Sequence, residues 1–423
     1  MKKLNLNLAW KSFIYKILST YFTRIYLIKA FVIACCLSAF IYSDYFGYRI
    51  NALNSLFAVA GFWLLLGQRR EIWFWSGFFI GLLWFYWISF SFVYYDLAFL
   101  IPLIILSIAL FYAYTFWLIG VIGKTPYLQA LLLLGMSFFE PFGFNWLKFE
   151  LPLLHSYFQP TLLCLAAVLA SIVVIKMAPK WLKLFAIPLV CFSLFFPTQK
   201  AHNPTMLDVA LPKMHVLQSQ RWDKAYQHDA ISLNFKLIEE AIEAKKELIV
   251  LPESAFPLYL NRESFLMEKL LEYSQHIGII AGSLTYEKER FYNSAYFFNQ
   301  GVMEVAHKIV LVPFGEEIPF PEFMVTWINK LFFDGAKDYA KAKTPYDFHF
   351  KGLKLRNAIC FEATKDKLYE GNPSVMIAIS NNAWFSPSIE QTLQYLLLEY
   401  YAKKYNTTIY HSANAGKSGV ILP

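Results

Sequence analysis

The strongest constraint on this chain is a series of long apolar segments in its first 200 residues. The hydrocarbon core of a bilayer, about 30 Å thick, is spanned by about 20 apolar residues in a helix. Over the whole chain hydrophobic residues make up 57% and charged residues 16%, whereas a soluble domain carries about 25% charge. We therefore exclude a disordered chain and a small disulfide scaffold. We expect seven membrane-spanning helices, at residues 25–42, 50–67, 73–93, 97–120, 126–142, 158–176 and 181–197.

The charges between these segments predict the orientation of the chain. Neutral or acidic loops alternate with basic ones, which lie at 1–24, 67–72, 121–125 and 176–183. Basic loops face the cytoplasm, so the net charge of +8 indicates a membrane flank rather than a nucleic-acid surface. With a transmembrane domain at 25–200, residues 201–423 would lie on the periplasmic side of a bacterial inner membrane. The alternative, a cleaved signal peptide, lacks an A-x-A site, and further apolar segments follow.

The cysteines fit the same division of the chain. Four of them fall in predicted spans: Cys35, Cys36, Cys164 and Cys191. Cys360 is alone in the external half, and a thiol without a partner in an oxidising compartment indicates either chemistry or simple burial. The sequence has no C-x-x-C pair and no His cluster with metal-ligand spacing, so it indicates no metal site. We expect no other cofactor either, on the ground of the resemblance described below.

From about residue 205 short β-like runs alternate with helical stretches. Residues 225–245 and 387–404 have apolar residues three and four apart, which predicts two helices. We predict strands at 206–210, 214–218, 248–251, 277–282, 293–299, 302–305, 355–359, 374–379 and 407–411. Strands separated by helices favour a layered α/β domain.

Three polar residues stand at the ends of such runs, where an α/β scaffold presents catalytic groups. Glu253 follows four apolar residues and a proline, and partial burial would raise its pKa toward that of a general base. Lys308 adjoins the apolar run 309–312, where it would stabilise an oxyanion with Glu316 nearby. Cys360 ends another run and becomes a nucleophile if a base and a cation lie close to it. Taken singly, each has an ordinary alternative: a surface carboxylate, a strand-edge lysine and a buried structural thiol.

Together, Glu253, Lys308 and Cys360 resemble the Glu-Lys-Cys triad of the nitrilase (carbon–nitrogen hydrolase) superfamily. The segment Tyr292-Asn-Ser-Ala295 resembles the strand that follows the glutamate in that superfamily. The resemblance implies that residues 201–423 form a nitrilase-like αββα sandwich. It also implies that the glutamate is the base, the lysine the oxyanion partner and the cysteine the nucleophile.

The preceding apolar segments narrow the resemblance to the apolipoprotein N-acyltransferase family, which joins a nitrilase-like domain to a polytopic membrane domain. Further similar segments are Gln218-Ser-Gln-Arg-Trp222-Asp, Leu311-Val-Pro-Phe-Gly-Glu316, Ser380-Asn-Asn-Ala-Trp384-Phe and Ala413-Asn-Ala-Gly416. Within the membrane half, Gly143-Phe-Asn-Trp146-Leu resembles the external loop of the family. The likeness extends over nearly the whole chain, and the combination of motifs is specific although each alone is not.

This resemblance implies a two-step acyl transfer. The thiolate would take an acyl chain from a phospholipid, which we expect to be phosphatidylethanolamine, and pass it to the N-terminal amine of a diacylated apolipoprotein. By the same resemblance five residues would support the triad or bind substrate: Trp222, Glu316, Phe361, Glu362 and Trp384. Salt bridging by the acids and core packing by the aromatic residues are the alternatives. We expect a membrane-embedded monomer that binds no nucleic acid.

Two features depart from the family pattern. Phe361 stands where the family often has tyrosine after the nucleophile, so a hydroxyl is missing. The family usually has a last transmembrane helix after the soluble domain, whereas this chain stops at Pro423. We expect either that this branch lacks the helix or that the sequence is truncated.

Two other functions remain open from the sequence. A membrane-tethered carbon–nitrogen amidase or nitrilase would share the triad, but it would need only one anchor. A non-catalytic lipid transporter or scaffold would leave the triad as coincidence. Such a transporter would also be expected to carry ionisable residues within its spans, and these spans have almost none. Assays of acyl transfer and of amide hydrolysis distinguish the three.

Overall fold

The computed structural model of the protein describes residues 19–196, 206–221, 224–313, 315–317, 323, 325 and 339–423. These residues form two compact units. The first runs up to Phe139 and resumes at Leu147, and the second comprises Glu140–Trp146 and the residues that follow the first unit. The short segment 140–146 therefore belongs to the second unit, although helices of the first unit flank it in sequence. Most of the predicted basic tail lies outside the described residues.

The first unit is helical. Its α-helices within the described residues are Arg24–Tyr45, Asn51–Leu65, Arg70–Phe85, Ile101–Ile122, Pro126–Gly135, Leu162–Met177 and Ala186–Leu194. Each overlaps a predicted span, because an apolar segment that leaves water satisfies its backbone hydrogen bonds within a helix. By length and composition three helical stretches are able to cross a membrane: Arg24–Tyr45, Arg70–Tyr95 and Ala98–Ile122. The other helices are shorter, so seven crossings remain a prediction.

The second unit contains two β-sheets. The first has the order β1 (Val209–Ala210), β2 (Leu248–Val250), β4 (Gly278–Glu287), β5 (Arg290–Asn299) and β6 (Val302–His307), and β3 (Phe256–Tyr259) also pairs with β4. The second has the order β11 (Gly419–Ile421), β10 (Thr408–Asn414), β9 (Val375–Asn381), β8 (Leu353–Ile359) and β7 (Asp347–Phe350). Strands β8, β9 and β10 are mutually parallel, as are β2 and β4. Their carboxyl ends therefore meet at one edge of each sheet.

The two sheets pack face to face between layers of helix. Along β2 the side chains alternate, because Leu248 and Val250 enter the core between the sheets while Ile249 enters the core on the opposite face. Helices cover the two outer faces: Lys224–Glu243 and Ser264–Tyr273 on the first sheet, and Glu390–Tyr405 on the second. The period of two in the strands and the apolar faces of the helices thus build the layers. The predicted αββα fold class is confirmed.

The predicted strand at 214–218 is wrong. Met214 makes a single bridge to Asn414, and the side chain of Asn414 then accepts from the N–H and donates to the C=O of Val216, both at 2.8 Å. The Asn414 side chain thus forms the hydrogen bonds that the N–H and C=O of Val216 would otherwise make to a neighbouring strand. The prediction also missed β3, β7 and β11 and the helix Ser264–Tyr273, and strands of three or four residues are too short for a period of two to be recognised.

Candidate active site

The three residues of the predicted triad follow the ends of three different strands. Glu253 comes shortly after β2, Lys308 directly after β6 and Cys360 directly after β8. Strands β2 and β6 belong to one sheet and β8 to the other. The apolar run 309–312 that Lys308 adjoins is not a strand, and it is β6, which overlaps the predicted strand 302–305, that Lys308 follows.

The structure brings these three side chains together. The Nζ atom of Lys308 lies 3.7 Å from Oε1 of Glu253, and the Cys360 thiol is close enough to the Glu253 carboxyl to influence its pKa. Glu253 is 7% exposed and Lys308 is 0% exposed, whereas Cys360 is half-buried. A buried carboxyl and a buried ammonium thus flank a thiol that remains partly accessible.

Two amide groups orient the Glu253 carboxyl. The Nδ2 of Asn293 donates to Oε1 at 2.7 Å, and the backbone N–H of Asn381 donates to Oε2 at 2.9 Å. Neither residue was predicted to belong to the site, although both lie in segments that resemble the family. Asn293 stands on β5 and Asn381 at the end of β9, so their approach to one carboxyl depends on how the two sheets are stacked.

Glu316 holds Lys308 from a second side. Its Oε2 lies 2.7 Å from the lysine Nζ, and Asn293 Nδ2 donates to its Oε1 at 2.9 Å. The backbone N–H of Val312 donates to Oε2 at 2.8 Å. The ammonium is therefore placed between two carboxyls that a single asparagine orients.

Burial and neighbouring charges decide the protonation of the triad. Burial raises the pKa of Glu253, and the attraction of Lys308 offsets only part of that effect. Burial also raises the pKa of the Cys360 thiol well above its usual value, and the Glu253 carboxylate adds to the rise. Burial alone would lower the pKa of Lys308, but the carboxylates of Glu316 and Glu253 outweigh it and raise that pKa. The lysine is thus always charged, while thiol and carboxyl compete for a proton.

Glu362 ties two segments of the site together. Its Oε2 accepts from the backbone N–H groups of Ile309 and Val310 at 2.7 and 3.0 Å, and its Oε1 accepts from that of Ile359 at 2.8 Å. The side chain is buried, and burial raises its pKa to about 7. Glu362 therefore links the segment after Lys308 to the end of β8.

The backbone at the candidate nucleophile is unusual. Cys360 has a φ of 57°, in the left-handed region, which costs a non-glycine residue roughly 1–2 kcal/mol. The turn that follows it is held by the segment 140–146. Asn145 Nδ2 donates to the C=O of Thr364 at 2.7 Å, and Trp146 Nε1 donates to its Oγ1 at 2.8 Å. These contacts hold in place the turn that projects the sulfur.

Phe361 packs against the same segment. Its ring is stacked on that of Phe144, with centroids 5.8 Å apart and planes 1° apart, and the Lys365 ammonium lies 5.5 Å from its centroid. Phe361 is 2% exposed. In this chain the residue after Cys360 is therefore held by aromatic stacking, whereas a tyrosine at this position would also offer a hydroxyl.

The remaining predicted residues are the two tryptophans. Trp384 is half-buried in the 3-10 turn Asn382–Phe385, directly after β9. Trp222 lies outside the described residues, as does Phe314. Within the described ranges, no group of three or more His, Cys, Asp or Glu side chains is placed to hold a metal ion.

Sequence reasoning missed one further residue beside the thiol. Gln394 stands on the helix Glu390–Tyr405, and its Nε2 lies 3.7 Å from the Sγ of Cys360. It is 1% exposed and lies among buried leucines. In the sequence, the only indication of Gln394 is that an amide side chain stands among leucines in a predicted helix.

A family model and curated relatives show the family of this chain. The family described as "Apolipoprotein N-acyltransferase integral membrane domain" matches residues 24–196. The apolipoprotein N-acyltransferase of Wolinella succinogenes is 45% identical over 394 residues, 92% of this chain and 94% of the relative. That of Campylobacter jejuni is 35% identical and covers 100% of this chain and 95% of the relative. Among solved structures, a CN-hydrolase superfamily protein of Xanthomonas campestris is similar with a TM-score of 0.37, 14% identity, and coverage of 50% of this chain and 77% of its own.

The relatives match both halves of the chain, so the likeness includes the membrane-integral unit and the α/β unit that carries the triad. The resemblance inferred from the motifs is thereby confirmed. The chain belongs to the apolipoprotein N-acyltransferase family, and the protein is a membrane-integral acyltransferase whose second unit is an αββα domain.

Proposed function

We propose that this acyltransferase moves a fatty acyl chain from a phospholipid to the N-terminal amine of the diacylglyceryl-cysteine of apolipoproteins, through a thioester on Cys360. The observation that carries the proposal is the convergence of Glu253 and Lys308 on that thiol. Membership of the family supports the overall reaction. The membrane-integral unit is consistent with it, because both substrates would keep their acyl chains in the bilayer and avoid exposing them to water.

In the first step Glu253 removes the thiol proton, and the sulfur attacks the sn-1 ester carbonyl of phosphatidylethanolamine. Lys308, together with a backbone N–H, stabilises the negative charge that develops on the carbonyl oxygen. The carbon–oxygen bond of the ester then breaks, and the departing lysophospholipid oxygen takes the proton held by Glu253. A thioester on the sulfur remains.

In the second step the free amine of the apolipoprotein attacks the thioester carbonyl. Glu253 accepts the amine proton, and the carbon–sulfur bond breaks to leave an amide. The proton then returns to the sulfur, so the enzyme is restored. Water has to be excluded while the thioester exists, and we propose that the rings of Phe361, which directly follows Cys360, and of Trp384 help to exclude it.

The topology is proposed from the charge pattern. Basic loops and an N-terminal basic tail support a bacterial inner-membrane protein with its N-terminus in the cytoplasm. Residues 25–200 would form the transmembrane domain and residues 201–423 a periplasmic catalytic domain, with segment 140–146 on the same side. We propose a monomer that uses no cofactor, because the phospholipid ester supplies the activated acyl group.

The experiment is intact-protein mass spectrometry after incubation with phospholipid, followed by addition of a diacylated lipopeptide. We expect a fatty-acyl adduct on wild type that the lipopeptide discharges. Cys360→Ser should reduce adduct formation by several orders of magnitude, since a hydroxyl is a far weaker nucleophile near neutral pH. An adduct that persists in Cys360→Ala would defeat the proposal. Release of ammonia from small amides without acyl transfer would support an amidase instead.

A further inference from the structure

We propose that Gln394 takes part in the reaction as a hydrogen-bond donor to the sulfur of Cys360, and that Asn382 and Glu390 are positioning residues that aim its amide. The inference rests on the proposed role of the thiol. It adds to the triad a third polar group that acts directly on the sulfur.

The first observation is the contact itself. Gln394 Nε2 lies 3.7 Å from the Cys360 Sγ, within hydrogen-bond range for sulfur. The glutamine is 1% exposed on a helix whose neighbouring residues, Leu393 and Leu396, are fully buried. A polar amide in such surroundings costs free energy unless its hydrogen bonds are made, so a buried glutamine directed at the sulfur indicates a defined role.

The second observation is a chain of hydrogen bonds that orients this amide. Asn382 Nδ2 donates to Gln394 Oε1 at 2.8 Å and to Glu390 Oε2, also at 2.8 Å. Asn382 and Glu390 are each 2% exposed. Because Glu390 offers an acceptor, the NH2 group of Asn382 faces it. The oxygen of Gln394 then takes the other hydrogen of that group, which leaves the glutamine N–H directed at the sulfur.

The third observation is the charge around the sulfur. Among the described residues, the ionisable groups with the largest influence on Cys360 are the carboxyls of Glu253, Glu316 and Glu390 and the ammonium of Lys308. That cation is held 2.7 Å from Glu316, so its attraction for a thiolate is shared. A neutral N–H donor stabilises the thiolate in this low-dielectric site without attracting a further proton. Burial raises the pKa of Glu390 to about 8, so at neutral pH this carboxyl is mainly uncharged and adds little repulsion.

Such a donor would act twice in each cycle. It would stabilise the thiolate when Cys360 gives its proton to Glu253, and again when the amine displaces the sulfur from the thioester. Hydrogen bonds to a charged partner are stronger than those to a neutral one. The contribution of Gln394 should therefore be larger at these two stages than in the resting thiol.

The test measures ionisation of the sulfur without any lipid. The full-length protein in detergent is alkylated with iodoacetamide from pH 6 to 10, and the rate at Cys360 is obtained from peptide mass spectrometry. Gln394→Met keeps the length of the side chain and removes the donor. We expect its alkylation to be about tenfold slower at each pH in this range, which corresponds to a profile displaced upward by about one pH unit. Gln394→Glu, nearly isosteric, should shift the profile at least as far and serves as the second variant if the methionine protein fails to fold.

The positioning residues are tested by a conservative pair. Glu390→Gln retains an acceptor for Asn382 and should keep the wild-type profile. Glu390→Met should shift the profile upward, and it should add little to Gln394→Met in the double variant. A Gln394→Met profile that superimposes on wild type would overturn the proposal, as would equal shifts in the two Glu390 variants. Since the readout needs no phospholipid, its failure is distinguishable from failure of acyl transfer.

Discussion

The Nζ of Lys308 lies 3.7 Å from the Oε1 of Glu253, and both side chains are buried. The same ammonium is 2.7 Å from Glu316. One cation is thus shared by two carboxyls in a site from which water is largely excluded. Removal of the lysine or of a carboxylate should therefore destabilise the protein, because an unpaired buried charge is far more costly than a paired one.

Replacement of Lys308 by methionine should therefore affect both activity and stability. We expect acyl-enzyme formation to fall by at least a thousandfold, because the oxyanion loses its cation. We also expect a loss of about 3–5 kcal/mol in stability, since the buried Glu253 and the largely buried Glu316 lose their only cation among the described residues. Lys341→Met is the matched control, because that lysine is half-exposed in an ion pair with Glu317 at 2.6 Å. Its effect on the melting temperature should be small, and equal losses in both variants would contradict the prediction.

The stability of the protein should fall with rising pH because of two buried carboxyls, those of Glu390 and Glu362. Burial raises their pKa values to about 8 and about 7, so the native state retains protons that the unfolded chain releases near pH 4.5. Between pH 4.5 and 8 the native state binds more protons, and its stability should therefore fall as the pH rises, by up to about 1.4 kcal/mol per pH unit for each group. Melting temperatures of the detergent-solubilised protein from pH 5 to 8.5 measure this trend.

Glu390→Gln replaces one of the two titrating carboxyls by an amide, so the native state binds up to one proton fewer in excess of the unfolded state. We expect a shallower decline of the melting temperature with pH in this variant than in wild type. A decline of unchanged steepness would show that Glu390 does not retain its proton in the native state.

The turn that carries Glu253 should not tolerate a side chain at position 282. A Cβ on Gly282 would lie 2.6 Å from the Glu253 Cα and 2.7 Å from the Ser254 nitrogen, both of which are backbone atoms that cannot rotate away. Gly282→Ala should displace the Glu253 carboxyl, for which we propose the role of general base, and reduce acyl-enzyme formation by at least tenfold. Gly135→Ala, where a Cβ meets nothing within 4 Å, is the control. Activity of Gly282→Ala equal to that of the control would refute the prediction.

The contact between Trp146 and Thr364 should contribute to activity through the nucleophile turn. Trp146→Phe and Thr364→Val each remove the 2.8 Å hydrogen bond between them. We expect each to reduce the rate of acyl-enzyme formation several-fold, and the double variant to be no worse than the poorer single one, with a coupling of about 1 kcal/mol. Additive losses in the double-mutant cycle would mean that the two residues act separately.

Much of the fold and of the candidate site could be predicted from local patterns in the sequence. Apolar segments near bilayer length predicted each helix of the first unit, and alternating strands and helices predicted the layered second unit. Glu253, Lys308 and Cys360 were identifiable because each follows a strand-like run and because their chemical types form a known set. Periodicity and residue type are properties of neighbouring residues, which is why they can be recognised in a sequence.

The rest depended on contacts between distant residues. Asn293, Asn381 and Gln394 surround the triad only because two sheets stack and a helix covers one of them. The segment 140–146 contacts the turn that follows Cys360 across more than two hundred residues of chain, and no periodicity in the sequence indicates that contact. The order of the strands and the packing of the sheets determine which polar side chains lie close together. Burial of those side chains then shifts the pKa values on which the proposed chemistry depends.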